Sequence, residues 1–524
     1  MRQLRQVGLF LVRHWRFIAY PVLLSLCFCY FAYFQRVPTF PDPDSFYHAK
    51  AAVLLPQQGI QTTFPWLQAT VLKSSFIDQH FLYHALLVPF VTLMDPLWGV
   101  KVATALLCSA LAILFYWFLR QYQVKFAFLG TLILLASTPL IFRIGLVKAP
   151  VLSIILLLLG LHLMFQHRTR ALFFLSFFYV WAYGGFILIL FAAGTFALVS
   201  LITRWWQRFG REPLSVTLRT SLELRTFFAC LAGVAAGVLI NPYFPQNLSY
   251  YWHQLVQIGI VNYQGIIAVG NEWYPYRLVD LVTGTAMVTV VILIGTLALA
   301  VYSRRLSRRT VTVFIVFVLF LAFTLKSRRY VEYYVPFALL YGMFACGDVL
   351  RDVPWQRVRK AVVTFASRQW VLAAVMIVYL ATAVPAMVYH DVLQTQRDYR
   401  GGISLQRFRE PATWLREHTA PGTTVFHSSW DEFPVLFYYN SDNYYTAGLD
   451  PTFTYEYSPE LYRKMVAITT GQQRENVYED VRNGFGASYV FVEKNHQAME
   501  SVIRAEPRFR EVYRGAEATI FEVR

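Results

Sequence analysis

The sequence predicts a mostly α, polytopic membrane helical bundle followed by a small α/β domain. Three observations predict it. Of 524 residues, 56% are hydrophobic and only 15% are charged, against about 25% charge in a typical soluble chain. Apolar runs of membrane-spanning length recur from residue 7 to residue 390. After about residue 391 the composition turns polar, and helix-like and strand-like patterns alternate.

The first run opens on MRQLRQVGLFLVRHWRF, basic and then apolar. It has no small-residue cleavage site and is too long for a signal peptide, so it reads as a retained span at 9–35. Ten more runs follow, at 97–119, 125–142, 150–166, 171–186, 187–203, 226–241, 279–302, 310–325, 331–348 and 369–390. Residues 171–206 are too many for one helix, and the Gly184–Gly185 pair marks a turn back. Eleven spans result.

The net charge of +17 falls mostly in short alternate connections: the N-terminal arginines Arg2, Arg5, Arg13 and Arg16, then 168–170, 203–225, 303–309 and 351–360. That is the positive-inside pattern, with the N-terminus inside and the C-terminus outside. No basic face with interleaved aromatics lies outside the membrane, so nucleic acid is excluded as a partner. The five cysteines, Cys27, Cys29, Cys108, Cys230 and Cys346, all lie in apolar runs without metal or disulfide spacing.

Residues 1–390 form the membrane domain and 391–524 the outer domain. Two further outer segments are long, 36–96 and 242–278. Within the first, FPWLQATVLKSSFIDQHFLYHALLVPF (64–90) reads as amphipathic helices on the membrane surface. In the tail, 404–419, 459–471 and 475–486 read as helices. Residues 423–429, 487–494 and 509–524 read as strands.

The chemistry concentrates outside. PDPDSFYHAK (41–50) places Asp42 and Asp44 just beyond the first span. Paired carboxylates suit a hard divalent ion such as Mg²⁺ or Mn²⁺. Asp44 could instead simply cap the helix that follows. His48, four residues on, would share its face.

DSFYHAK resembles the first-loop motif of bacterial and archaeal oligosaccharyltransferase catalytic subunits. Those enzymes have the GT-C fold, an outer DxD that binds a divalent metal and engages the acceptor, and a C-terminal outer domain. The resemblance implies those roles for Asp44 and, second, Asp42. KSRRYVEYYVPFALLYG, from Lys326, is similar to the family's arginine segment and implies that Arg329 holds the donor phosphate, with Arg328 beside it. An outer cluster of arginines also runs against the charge rule and suits bidentate phosphate binding. VGNEWYPYR (269–277) matches the family's long-loop motif only at Glu272. HSSWDEFP (427–434) resembles its acceptor-recognition motif at Trp430 and Asp431 alone, so sequon recognition is not implied.

A further family motif is missing. Where the family carries metal-binding carboxylates after the third span, this chain has FRIGLVKAP, with Arg143 and Lys148 outside against the charge rule, which reads as contact with the donor phosphate. Two readings stay open. Lys148 could put an ammonium where the cation would sit. Or IDQHFLYH could supply Asp78, His80 and His84 which, with Asp44 and His48, could bind a transition metal. The lysine is favoured, because it stands in the slot of the lost carboxylate and outside against the charge rule.

The resemblance implies a glycosyltransferase of a bacterial or archaeal cytoplasmic membrane. It would move a glycan from a polyprenyl phosphate or pyrophosphate carrier to a protein or glycolipid acceptor on the outer face. Transfer of single sugars from a polyprenyl monophosphate is the alternative. A lipid or polysaccharide transporter would be expected to show repeats, and none is evident.

Overall fold

The computed structural model describes residues 2–209, 220–261, 263–301, 307–350 and 355–524. Parts of the expected inside loops 203–225, 303–309 and 351–360 lie outside the described residues.

The chain opens with α1 (Arg2–Gln35), a short strand β1 (Thr39–Phe40), α2 (Asp44–Gln58), α3 (Phe81–Leu93) and α4 (Pro96–Gln121). Then come α5 (Ala127–Leu135), α6 (Thr138–Ile144), α7 (Pro150–Phe165), α8 (Thr169–Ala182), α9 (Ile187–Phe209) and α10 (Thr220–Leu239). After α11 (Gln246–Trp252) the bundle closes with α12 (Leu278–Gly284), α13 (Ala286–Val301), α14 (Arg308–Lys326), α15 (Val331–Leu350), α16 (Trp355–Arg368) and α17 (Trp370–Arg400).

The described residues of the eleven expected runs are mainly helical, with local causes at the ends. Asp95 caps α4 by accepting from the backbone N–H groups of Leu97 and Trp98, and Pro96 fills the first turn. Ser307 caps α14. The chain turns at Gly184–Gly185 as expected; a Cβ on Gly184 would meet Gln79 Oε1 at 2.2 Å.

Among the described residues six helices are long and apolar enough to cross a membrane, or eight if each bent pair counts as one. The bent pairs are α5–α6, which turns by 71° before Pro139, and α12–α13, which turns by 92°. Helices α7 and α8, of 16 and 14 residues, fall short of the roughly 20 that a perpendicular crossing takes. Helix α17 runs to Arg400, ten residues past the expected end of its span. Helix α15 is apolar all round and buried along nearly its whole length, packed between α13 and α14. It is the centre of the bundle.

The tail contributes β2 (Ile403–Ser404), α18 (Arg409–His418), β3 (Thr424–His427), α19 (Phe433–Tyr439), β4 (Tyr444–Tyr445), α20 (Pro451–Tyr457), α21 (Pro459–Thr469), α22 (Val477–Glu479), β5 (Tyr489–Glu493), α23 (Gln497–Ala505), β6 (Phe509–Arg514) and β7 (Ala518–Val523). Five strands form one mixed sheet in the order β4-β3-β5-β7-β6. Strands β3, β4 and β5 are parallel, and β7 runs antiparallel to both β5 and β6. Helices α19, α20 and α23 and the short strands β1, β2 and β4 are not among the expected elements.

One expectation is corrected here. Residues 64–80 are not surface helices. They form an irregular loop with one helical turn at Val71–Lys73, and Trp66, Leu67, Leu72 and Ile77 are buried. The loop is clamped against the tail: Trp66 Nε1 donates to the Ser441 carbonyl at 2.7 Å, and Leu67 bridges to Tyr445. Strand β1 also pairs antiparallel with β2. The segment 36–96 thus ties the bundle to the tail, and the aromatics that read as membrane-facing face protein instead.

Candidate active site

The site begins where α1 ends. Asp42 Oδ1 accepts the backbone N–H of Asp44 at 2.9 Å, the local turn that starts a helix. The capping role expected of Asp44 therefore belongs to Asp42. Asp44 is the first residue of α2, and its carboxylate is left for other work.

Both aspartates meet the same cation. Lys148 Nζ lies 2.9 Å from Asp42 Oδ2, 2.9 Å from Asp44 Oδ2 and 3.8 Å from Glu272 Oε2. Lys148 sits on the short loop between α6 and α7, and that loop is pinned from three sides. Gln35 Nε2 donates to the Gly145 carbonyl at 2.6 Å, Cys108 Sγ contacts the Ile144 carbonyl at 3.1 Å, and the Tyr399 hydroxyl reaches the Phe142 carbonyl at 3.4 Å. The Tyr399 hydroxyl stands 1.9 Å from where a Cβ on residue 145 would lie, so this turn needs glycine.

Glu272 comes from the long segment 242–278, which is stitched to the start of the arginine segment. Ser327 Oγ donates to the Glu272 carbonyl at 2.9 Å, and the Arg328 N–H to the Tyr274 carbonyl at 3.0 Å. The Glu272 carboxylate binds Arg143 Nη1 at 2.7 Å and faces Arg329 Nη1 at 3.7 Å. Arg329 also lies over the Trp273 ring, 4.3 Å from its centroid. Arg143 Nε reaches a second carboxylate, buried Glu332, at 3.2 Å.

Burial governs the titration of these groups. It raises Asp44 to about 6, with Lys148 pulling the other way and Asp42 adding to the rise. Burial also works against the ammonium of Lys148, but Asp42 and Asp44 outweigh it and hold the lysine above its usual range. Glu272 resists its own burial because Lys148, Arg143 and Arg329 keep it well below the usual carboxylate range.

The cluster forms the floor of a cavity of about 520 Å³. Asp44, Lys148, Glu272 and Arg329 face it, together with Lys326. Ile187, Leu188, Phe191, Leu319 and Phe323 form an apolar wall. A charged floor beside an apolar wall can hold an amphiphile by both ends.

A divalent ion at the DxD would draw on Asp42, Asp44 and Glu272. Those oxygens already surround an ammonium, so the donor set does not fit a metal there without moving Lys148. The histidines form a separate group. His48 Nδ1 lies 2.8 Å from His84 Nε2, His84 Nδ1 lies 2.7 Å from Asp78 Oδ2, and His80 completes a cluster whose nitrogens lie within 4.8 Å of one another. His80 stands just before α3 rather than within it. Burial, then His84, holds His48 well below its usual range and His80 at about 3.

Other expected residues go elsewhere. Arg328 Nε donates to the Pro275 carbonyl at 3.2 Å, so its side chain braces the loop. Trp430 lines a second cavity, with His427, Ser429 and Tyr462. Asp431 is exposed and accepts from Ser429 Oγ. Sequence reasoning did not single out Glu332 or Asp450. Glu332 sits inside the quoted arginine segment, where a carboxylate in an apolar run was a usable signal. Asp450, from the tail, lines the main cavity and caps α20 through Thr452. Its burial raises its pKa.

No protein-family model matches this sequence, and no curated protein matches it. Solved structures do. The Archaeoglobus fulgidus oligosaccharyltransferase in its apo form superposes with a TM-score of 0.61 at 11% identity, over 96% of this chain and 74% of that one. ArnT from Cupriavidus metallidurans, bound to undecaprenyl phosphate, gives 0.56 at 14% identity, over 97% and 98%. The mycobacterial arabinofuranosyltransferase AftD gives 0.51 at 14%, over 96% of this chain and 41% of that one. With Asp44 opening the helix after α1, the buried α15 and the C-terminal mixed sheet, this chain shares the fold of these solved structures, the GT-C fold.

Proposed function

We propose that this chain is a membrane glycosyltransferase that moves a sugar or glycan from a polyprenyl phosphate or pyrophosphate carrier to an acceptor on the outer face. The eleven-span topology, with the C-terminal domain outside, belongs to the same reading. The cavity carries it: an apolar wall for a lipid chain meets a floor of Asp44, Lys148, Glu272 and Arg329. Similar structures hold lipid phosphates, dolichol phosphate in the archaeal oligosaccharyltransferase and undecaprenyl phosphate in ArnT.

In this reading the bond between the sugar's anomeric carbon and the carrier phosphate breaks, and a bond from that carbon to the acceptor forms. The acceptor gives its proton to Asp44, whose raised pKa makes it a better base near neutrality than an ordinary aspartate. The leaving phosphate gains negative charge, which Arg329 and Lys326 meet at the cavity lining. Lys148 holds Asp44 and Asp42 in place and adds a fixed positive charge beside the reacting centre. Glu272 orients Arg143 and Arg329.

A single-sugar donor on a polyprenyl monophosphate is the second reading. One ammonium, in place of a divalent ion, suits a leaving group with less charge. The test reconstitutes the chain in liposomes with each class of carrier and follows glycoconjugates by mass spectrometry. Transfer is expected from one class and lost in Asp44→Ala with membrane insertion intact. An Asp44→Ala chain as active as the parent removes this carboxylate from the reaction.

A further inference from the structure

We propose that His48, His80 and His84 form a transition-metal site of the zinc class, built from side chains other than those of the lysine-filled carboxylate cluster.

The argument starts at His84. Its Nδ1 lies 2.7 Å from Asp78 Oδ2. An ionised carboxylate only accepts, so Nδ1 donates to it, and in the neutral imidazole Nε2 is then the atom with the lone pair. That lone pair points at His48 Nδ1, 2.8 Å away. Two imidazole nitrogens that close need either a proton or a cation between them. His80 brings a third nitrogen within 4.8 Å of both, which favours the cation, since one proton has no use for a third base. A metal bound at about 2.0–2.1 Å by each nitrogen needs them slightly further apart than 2.8 Å, a small rotation of one ring.

The surroundings fit a borderline metal rather than a hard one. Neutral imidazole ligands suit zinc and its neighbours. Asp78 supplies the carboxylate-to-histidine contact that fixes a ligand's tautomer and strengthens it as a donor. His84 and His48 are 0% and 4% exposed, whereas His48 and His80 also line the main cavity. Three ligands would leave one position of a zinc tetrahedron free for a fourth ligand.

Three elements converge to build this: α2 with His48, the clamped loop with Asp78 and His80, and α3 with His84. The loop has little regular structure of its own, so a shared cation would lock it to both helices.

The test reads metal content, not transfer. The full chain is purified in detergent with zinc present and no polyhistidine tag, then dialysed, and its metals are counted by inductively coupled plasma mass spectrometry. About one equivalent of zinc per chain is expected. His80→Gln and His84→Gln should lose it, Asp78→Ala should weaken zinc binding about 10- to 100-fold, and Lys148→Ala should keep it. Cobalt in place of zinc should give the strong visible bands of a tetrahedral site, absent in His80→Gln. A folded parent chain with less than a tenth of an equivalent of metal and no such bands overturns the proposal. So does full zinc retention in both histidine variants. Because none of these readouts needs a donor or an acceptor, the metal site can fail while the glycosyltransferase reading stands, and the reverse.

Discussion

Lys148 shows how much one residue can rearrange. A divalent ion and an ammonium both neutralise carboxylates, but only the ion can be removed by dialysis. With Nζ 2.9 Å from both Asp42 and Asp44, the cation is part of the chain. Transfer is therefore expected to proceed with Mg²⁺ and Mn²⁺ withheld. Lys148→Ala should lower it about 10²- to 10³-fold, the usual cost of one preorganised charge-stabilising donor. The same variant exposes Asp42, Asp44 and Glu272 as a hard-ion donor set, so added Mg²⁺ or Mn²⁺ should restore part of the rate. Initial rates with and without these ions decide it. Full activity of Lys148→Ala in their absence removes the lysine from the mechanism.

At the scale of elements, the site depends on how loops are held. The turn that carries Lys148 is gripped by α1, α4 and α17, and Gly145 makes room for the Tyr399 hydroxyl. Gly145→Ala is expected to destabilise the chain by about 1–3 kcal/mol through overpacking. Tyr399→Phe in the same chain should recover part of the loss, because the hydroxyl is the atom in the way. Thermal unfolding in detergent reads both. Independent effects of the two changes would mean that the contact is not what strains the turn.

The long segment 242–278 has its own tether. His253 Nδ1 lies 2.7 Å from Glu456 Oε1, joining the stretch His253–Val261 to α20. Burial lowers the His253 pKa, but Glu456 and Gln257 more than offset that and leave it raised. A raised histidine stabilises fully below its unfolded pKa of about 6.5. That contribution is lost as pH rises through the higher folded value. Amide exchange in 253–261, corrected for its intrinsic pH dependence, should therefore show more protection at pH 6 than at pH 9, and His253→Gln should flatten the difference. Protection that rises with pH in the parent chain contradicts the tether.

At the scale of the whole molecule, α17 is the telling element. Trp370, Val371, Val375, Ile377, Val378 and Leu380 are each at least half exposed. No soluble surface carries such a face without a partner, and lipid is the solvent that suits it. A spin label at Ile377 is expected to be accessible to oxygen and shielded from a water-soluble nickel reagent. Accessibility to nickel alone would place that face in water.

The sequence by itself determined the classes of element. Hydropathy is a local property, so the eleven helical runs and the polar tail could be read directly. The turn at Gly184–Gly185 was legible for the same reason. Asp42, Asp44, Lys148 and Arg329 stood out because charge is rare beside apolar spans and costly to place there, whereas Glu272 was legible only through its resemblance to a family motif. Only the tertiary structure decided what those charges meet. Lys148 is more than a hundred residues from Asp42 along the chain, and no period or spacing links them. The same holds for Glu332 under Arg143, for Asp450 entering the cavity from the tail, and for the loop 64–80, whose aromatics bury against Ser441 and Tyr445 rather than lipid. A buried charge must find a counter-charge or hydrogen-bond partner wherever the fold supplies one, and which residue supplies it is set by packing between distant elements, not by neighbours in sequence.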